Sequence, residues 1–324
     1  MSRILIGDCR ESMRQLIAEG VKVQMCVTSP PYWGLRDYGV AGQLGLEPTI
    51  QEYVANMVEV FRLVRELLAD DGTLWLNLGD SYARAGGWSN NNGLDGVATR
   101  QESDRAMSNM AADGGASQKL AQGLKSKDLC GIPWRVAFAL QADGWWLRQD
   151  IIWAKPSPMP EPVTDRCTKA HEYLFLLAKS ERYYFDAAAI AEPSIDPESL
   201  RGRNPRRGDR FTESDPDGMG RTRKGFSAIE AGTVFTTRNK RSVWTVATQP
   251  YSEAHFATFP PKLIEPCILA GSRPGDIVFD PFFGSGTTGE VAQRLGRQWI
   301  GCELNPAYEK LGADRTRQTG MVLT

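Results

Sequence analysis

The stretch Ile277-Val278-Phe279-Asp280 followed by Pro281-Phe282-Phe283-Gly284-Ser285-Gly286-Thr287-Thr288-Gly289 leaves this chain few folds to choose from. A short apolar run stopped by a proline reads as a buried strand, and the closely spaced glycines read as a tight turn. Residues 287–295 then take up helical spacing. A strand that passes through a glycine turn straight into a helix belongs to a parallel sheet, whose strands need such crossovers. The same alternation recurs elsewhere. Residues 3–7 form an apolar run, Asp8 follows, and Met13, Leu16 and Ile17 fall at helical spacing. Residues 23–27 form a strand ending at Thr28-Ser29-Pro30-Pro31-Tyr32, residues 53–68 are helical, and residues 73–78 are a strand closed by Gly79-Asp80. Residues 259–270 look helical after Pro260-Pro261, and residues 298–303 form a further strand. The expected fold class is α/β, with a Rossmann-like sheet.

Two stretches break the pattern. Residues 82–128 collapse into Gly, Ser, Asn, Asp and Gln, including Trp88-Ser89-Asn90-Asn91-Asn92-Gly93, and read as a polar insertion. Regular structure resumes with a helix at 134–141 and a strand at 148–153. A hairpin is then expected from 172–179 and 182–185, so that the sheet ends in an antiparallel strand. The second break spans residues 187–250. Within 201–241 there are 11 Lys or Arg against 5 Asp or Glu, whereas the whole chain carries a net charge of -1. Arg201, Arg203, Arg206, Arg207, Arg210, Arg221, Arg223, Lys224, Arg238, Lys240 and Arg241 are candidates for phosphate contacts and guanine reading; a solvated loop is the plain alternative.

Composition excludes several classes. The longest apolar stretches, 74–78 and 174–178, fall far short of the roughly 20 residues that cross a bilayer, so no membrane association is expected. The opening residues lack a signal-peptide pattern, and a cytoplasmic location is the expectation. The six cysteines include no Cys-x-x-Cys pair, and the histidines are His171 and His255, so neither a disulfide framework nor a metal site is expected. Cys267 lies inside a helical stretch and reads as a core residue, not a nucleophile.

Gly284, Gly286 and Gly289 satisfy G-x-G-x-x-G, and Glu303 ends the next strand, where a carboxylate can accept from ribose hydroxyls. On spacing alone this fits a nicotinamide-dependent oxidoreductase as well as any other nucleotide-type site. Ser29-Pro30-Pro31-Tyr32 by itself reads as a stiff exit from a strand. The wider strings separate these readings. Asp280-Pro281-Phe282-Phe283-Gly284-Ser285-Gly286-Thr287-Thr288 resembles the S-adenosylmethionine-binding motif of DNA amino-methyltransferases, and Thr28-Ser29-Pro30-Pro31-Tyr32-Trp33 resembles their catalytic motif. His255-Phe256-Ala257-Thr258-Phe259-Pro260-Pro261, residues 73–82, residues 151–156 and His171-Glu172-Tyr173 agree with the same family.

The resemblance implies S-adenosyl-L-methionine as cofactor, with Asp8, Thr28, Phe259, Asp280, Pro281, Phe282, Gly284, Gly286, Thr287 and Glu303 around it. Asp8 would meet the adenine amino group, Glu303 the ribose, and Asp280 with the 284–286 turn the methionine moiety. Asp8 reads equally well as a polar helix start. The catalytic motif precedes the cofactor motif, an order that matches the circularly permuted class called beta. Residues 1–81 and 129–186 are then the catalytic half, 82–128 the insertion, 187–250 a target-recognition region, and 251–324 the cofactor half.

Ser29, Pro30, Pro31 and Tyr32 are the catalytic candidates. An exocyclic amino group has its lone pair conjugated into the base. Acceptors such as the Ser29 side chain and the Pro30 carbonyl must draw on its N–H bonds to free that pair, while Tyr32 offers a ring on which an extruded base can stack. Serine in the first position resembles enzymes that make N4-methylcytosine. A hydroxyl accepts or donates, so the chemistry leaves N6 of adenine open. Double-stranded DNA is the expected partner, and the resemblance leaves room for a cognate restriction endonuclease and for a homodimer. A DNA-binding module without catalysis is the remaining alternative.

Overall fold

Residues 2–83, 123–194, 236–249 and 259–318 are described in a computed structural model of the chain. The strands are β1 (Arg3–Ile6), β2 (Val23–Thr28), β3 (Leu68–Leu78), β4 (Trp146–Ala154), β5 (His171–Ala178), β6 (Glu192–Pro193), β7 (Thr237–Arg238), β8 (Val243–Thr245), β9 (Ile277–Asp280) and β10 (Gln298–Glu303). The helices are α1 (Cys9–Ala18), α2 (Ile50–Leu67), α3 (Ile132–Ala142), α4 (Pro261–Gly271), α5 (Thr287–Arg294) and α6 (Ala307–Gln318).

The main unit, Met1–Asp186 with Ser242–Thr324, is built on a sheet in the order β1-β10-β9-β2-β3-β5-β4-β8. From β1 to β3 every pairing is parallel, so these strands send their C-terminal ends to one edge. The α/β class and the permuted order therefore stand: the strands of the glycine-turn half, last in sequence, lie between β1 and β2. Successive side chains point to opposite faces of a strand, and both faces are buried. Cys26, Leu74, Leu76, Phe175, Phe279 and Ile300 pack with the apolar stripes of α1, α2 and α3. Met25 and Trp75 alternate with these, and α4 lies against them closely enough that a Cβ on Gly271 would stand 3.0 Å from Trp75 Nε1 and 3.1 Å from Met25 Sδ.

Several boundaries differ from the sequence reading, each for a physical reason. α2 starts at Ile50 and not at 53, because Thr49 and Glu52 form a reciprocal capping box, a device contributing about 1 kcal/mol. The hairpin of 172–179 with 182–185 does not form. β5 has both edges occupied, by β3 and by β4, each antiparallel to it. Residues 182–185 instead run alongside 70–72, where Ser180 Oγ donates to the Asp70 carbonyl and Tyr184 N to the Asp71 carbonyl. The antiparallel strand is therefore internal, and the sheet closes with β8 parallel to β4.

The second unit is Ala187–Arg241. In it β6 pairs antiparallel with β7, and Arg238, Lys240 and Arg241 converge on Glu192 at 3.5, 3.7 and 3.2 Å. Residues 242–249 pack with the main unit, where β8 pairs with β4 and Trp153 Nε1 donates to the Val246 carbonyl. Arg201, Arg203, Arg206, Arg207, Arg210, Arg221, Arg223, Lys224, residues 88–93 and residues 255–258 lie outside the described residues. The two flanks of the polar insertion are pinned together, by Ala83 N to the Asp128 carbonyl and Cys130 N to the Ser81 carbonyl, both at about 2.8–2.9 Å.

Candidate active site

Four neighbouring strands, β1, β10, β9 and β2, reach the same sheet edge and deliver Asp8, Glu303, Asp280 and Ser29 there in that order. This is the edge at which open α/β sheets bind ligands.

The turn after β9 is held from within. Asp280 is 1% exposed. It accepts from Thr28 Oγ1 at 2.6 Å, Thr288 Oγ1 at 2.6 Å and Phe282 N at 3.0 Å. One carboxylate thus ties the end of β2 to the glycine turn and to the first turn of α5. Burial pushes its pKa up to about 6 against the pull of those hydrogen bonds. Gly286 sits at φ +86°, a left-handed backbone that favours glycine, and caps α5. Gly284 donates its N–H to Glu303 Oε2 at 2.8 Å, and a Cβ built there meets no atom closer than 4.0 Å, so the turn presents an open face. Glu303 Oε1 takes Asn305 N at 2.8 Å, and burial raises the pKa of this carboxyl. Phe283 is buried and stacks on Trp299 at 5.1 Å, whereas Phe282 stays half-buried beside the turn.

Asp8 caps α1 and is forked onto Arg10, whose hydrogen bonds hold its pKa below the ordinary carboxylate range. Thr28, Pro281 and Thr287 are buried, and Thr28 spends its hydroxyl on Asp280. These residues shape the edge from beneath. Phe259 is half-buried just before α4.

The turn after β2 is equally constrained. Two successive prolines remove two donors and end the ladder. Tyr53 Oη, from α2, donates to the Pro31 carbonyl at 2.9 Å, and Trp33 Nε1 donates to the Glu47 carbonyl at 2.9 Å. Tyr32 turns inward. Its Oη lies 3.3 Å from Ser29 Oγ, 3.0 Å from Asn77 Oδ1 and 2.7 Å from Glu172 Oε2, and its ring covers Gly79, where a Cβ would stand 2.5 Å from Cε2. Burial and the Glu172 charge hold the phenol well above its usual pKa. Glu172 also pairs through Oε1 with Lys155, whose ammonium stands 4.4 Å above the Trp153 ring. Lys169 donates to the Asp80 carbonyl at 2.7 Å, and burial pulls its amine below the usual lysine range.

Asn77, Glu172, Lys155 and Lys169 were not among the sequence candidates. Asn77, Lys155 and Glu172 do lie in strings that resemble the family, and Asn77, a polar residue inside the apolar run 73–78, carries a signal of its own, because a buried amide needs partners. His171 starts β5 beside Tyr173, edge to face at 5.3 Å, and Cys267 is fully buried in α4. Among the described residues no cluster of His, Cys, Asp or Glu has the makings of a metal site, and no helix is long and apolar enough to cross a membrane.

Comparison with known proteins gives these features a family. A model described as DNA methylase, for N6 and N4 methyltransferases, matches residues 23–314. The chain is 44% identical over 313 residues to Type II methyltransferase M.SmaI of Serratia marcescens, covering 97% of this chain and 90% of the relative. It is likewise 44% identical over 309 residues to Type II methyltransferase M.Cfr9I of Citrobacter freundii, covering 95% and 85%. Among solved structures, the PvuII DNA methyltransferase (cytosine-N4-specific) matches at a TM-score of 0.60 and 20% identity over 97% of this chain and 85% of that one. The SAM complex of M1.HpyAVI matches at 0.52 and 16% over 98% and 99%. An oxidoreductase reading of the glycine turn gives the Ser29–Tyr32 turn no part to play, whereas the matching family model spans both turns, and this chain belongs to the N6/N4 DNA methylases, the DNA amino-methyltransferases.

Proposed function

We propose that the chain transfers a methyl group from S-adenosyl-L-methionine to the exocyclic amino group of a base extruded from double-stranded DNA, N4 of cytosine, within a specific sequence. The observation that carries this reading is the joint between the two turns, where Thr28 Oγ1 meets Asp280 Oδ1 at 2.6 Å and sets Ser29 beside the glycine turn. The row Asp8, Glu303, Asp280, Ser29 suits a ligand with adenosine at one end and a reactive methyl at the other. The open face of Gly284 admits close approach, Glu303 keeps lone pairs for ribose hydroxyls, and the acidic ends of β9 and β10 suit a cationic ligand.

When bound, the cofactor supplies a methyl activated by a sulfonium. The residues of this chain align the acceptor. Ser29 Oγ and the Pro30 carbonyl, to which no described residue donates, can accept from the amino N–H bonds and turn the nitrogen lone pair toward the glycine turn. The Pro31 carbonyl, held by Tyr53, fixes the turn instead. As the N–C bond forms, the S–C bond of the sulfonium would break with its electron pair left on sulfur as a neutral thioether, and the amino group would release one proton to solvent.

Serine at position 29 and the likeness to the PvuII DNA methyltransferase, named as cytosine-N4-specific, support cytosine. Relatives named as Type II methyltransferases support sequence-specific action alongside a restriction endonuclease. Ala187–Arg241 is the proposed recognition region, and the basic residues in 201–241 are its proposed phosphate contacts. Mass spectrometry of nucleosides from DNA incubated with protein and S-adenosylmethionine tests the reading. N4-methylcytosine is expected; N6-methyladenine overturns the base, and no modified base on any DNA overturns the reaction.

A further inference from the structure

A serine hydroxyl facing an amino group can donate or accept, and only acceptance helps to release the nitrogen lone pair. The groups behind Ser29 decide which it does. Tyr32 has one proton. Asn77 directs its Nδ2 at Glu172 Oε2, 3.3 Å away, and at the Tyr173 carbonyl, 3.1 Å away, so its Oδ1 faces Tyr32 as an acceptor. Glu172 Oε2, at 2.7 Å, is an acceptor too. The Tyr32 proton is thereby claimed on the inner side, and burial beside Glu172 keeps the phenol protonated. What remains of Tyr32 Oη toward Ser29 is a lone pair. Ser29 Oγ, 3.3 Å away, must donate into it. The far end of the chain is anchored by Lys155 on Glu172 Oε1, with its charge held over Trp153.

We infer that Glu172, with Lys155 behind it and Tyr32 as intermediary, is a positioning residue of methyl transfer, one that sets the direction of this hydrogen-bond chain so that Ser29 meets the target amino group as an acceptor only. The inference rests on the methyl-transfer reading above and extends it to residues outside both motif turns. It assigns the half-buried Lys155–Glu172 pair a part in the reaction beyond holding β4 to β5.

Single-turnover methyl transfer, with protein saturating over DNA and cofactor saturating over protein, tests it in wild type, Ser29→Ala, Glu172→Gln and the double variant. A glutamine amide can donate where the Glu172 carboxylate could only accept, so in that variant the direction of the chain is no longer imposed. Glu172→Gln is expected to slow the transfer about 10- to 100-fold, the size of a lost charge-assisted hydrogen bond, with cofactor affinity and the KM for DNA unchanged. Ser29→Ala loses roughly 100-fold or more. The double variant is expected to be no slower than Ser29→Ala within about 2-fold, because Glu172 acts through Ser29. Losses that multiply, or a Glu172→Gln variant as fast as wild type, overturn the inference and leave the methyl-transfer reading intact. A wild-type protein that methylates no DNA overturns both. If Glu172→Gln does not fold, Tyr32→Phe keeps the ring over Gly79, removes the same link, and must meet the same non-additivity with Ser29→Ala.

Discussion

Replacing Asp280 by Asn separates what this carboxylate does for the fold from what it does for a bound cofactor. The carboxyl is fully buried, and burial carries its pKa from 3.8 to about 6. A rise of that size corresponds to about 3 kcal/mol. The unfolded chain releases the proton near 3.8 and the folded chain near 6. The stability supplied by the neutral carboxyl is therefore complete below about pH 4 and is lost as pH climbs through about 6. Asn has no such proton. Its Oδ1 can keep Thr28 Oγ1 and Phe282 N, and its Nδ2 meets Thr288 Oγ1, which turns from donor to acceptor. Urea denaturation of both proteins from about pH 4 to about pH 8 is expected to show the variant gaining on wild type by up to about 3 kcal/mol across that window. Calorimetry at neutral pH should show the opposite for function: the variant binds S-adenosylmethionine about 10-fold more weakly or worse, having lost a negative charge beside a cationic ligand. A stability difference that stays constant with pH would refute the buried-charge argument. Unchanged cofactor affinity would remove Asp280 from the binding site.

Two further outcomes follow from the geometry. Gly79→Ala places a methyl 2.5 Å from the Tyr32 ring; the ring must move, and single-turnover transfer is expected to slow by about 10-fold or more while cofactor affinity holds. Glu192→Gln removes the anion shared by Arg238, Lys240 and Arg241, so anisotropy titrations of DNA against salt should give tighter binding and a log–log slope steeper by up to about one; an unchanged slope would take these cations off the DNA face.

What could be read in advance was what is local. The run Ile277–Asp280 followed by three glycines carries its strand, turn and helix within the consecutive positions 277–294, and Ser29-Pro30-Pro31-Tyr32 announces a rigid strand exit. Ser29 and the glycine turn arrive at one edge because both follow parallel strands. The hairpin failed for the converse reason: nothing near 180 records that both edges of β5 are claimed, one of them by β3 a hundred residues earlier. The Tyr32–Glu172 bond spans 140 positions and Lys155–Glu172 only 17, yet neither has a spacing rule, since each depends on the register of β3, β4 and β5. Asp8 was legible as a helix cap, while its clasp by Arg10 depends on where a flexible side chain settles.

The bond from Thr28 to Asp280 closes a loop of 252 positions, and β2 meets β9 across the same gap. A nascent chain therefore leaves the ribosome with β2 exposing an unpaired edge until the last part of the sheet has been made. Pairings of such high contact order form slowly and leave strand edges open to aggregation meanwhile. An incomplete chain also lacks most of the acidic strand ends that the proposed chemistry needs, because two of the three, Asp280 and Glu303, arrive with β9 and β10. On that reading a cell making this protein gains no partly active methylase during synthesis, and methyl transfer begins only when translation of the sheet is finished.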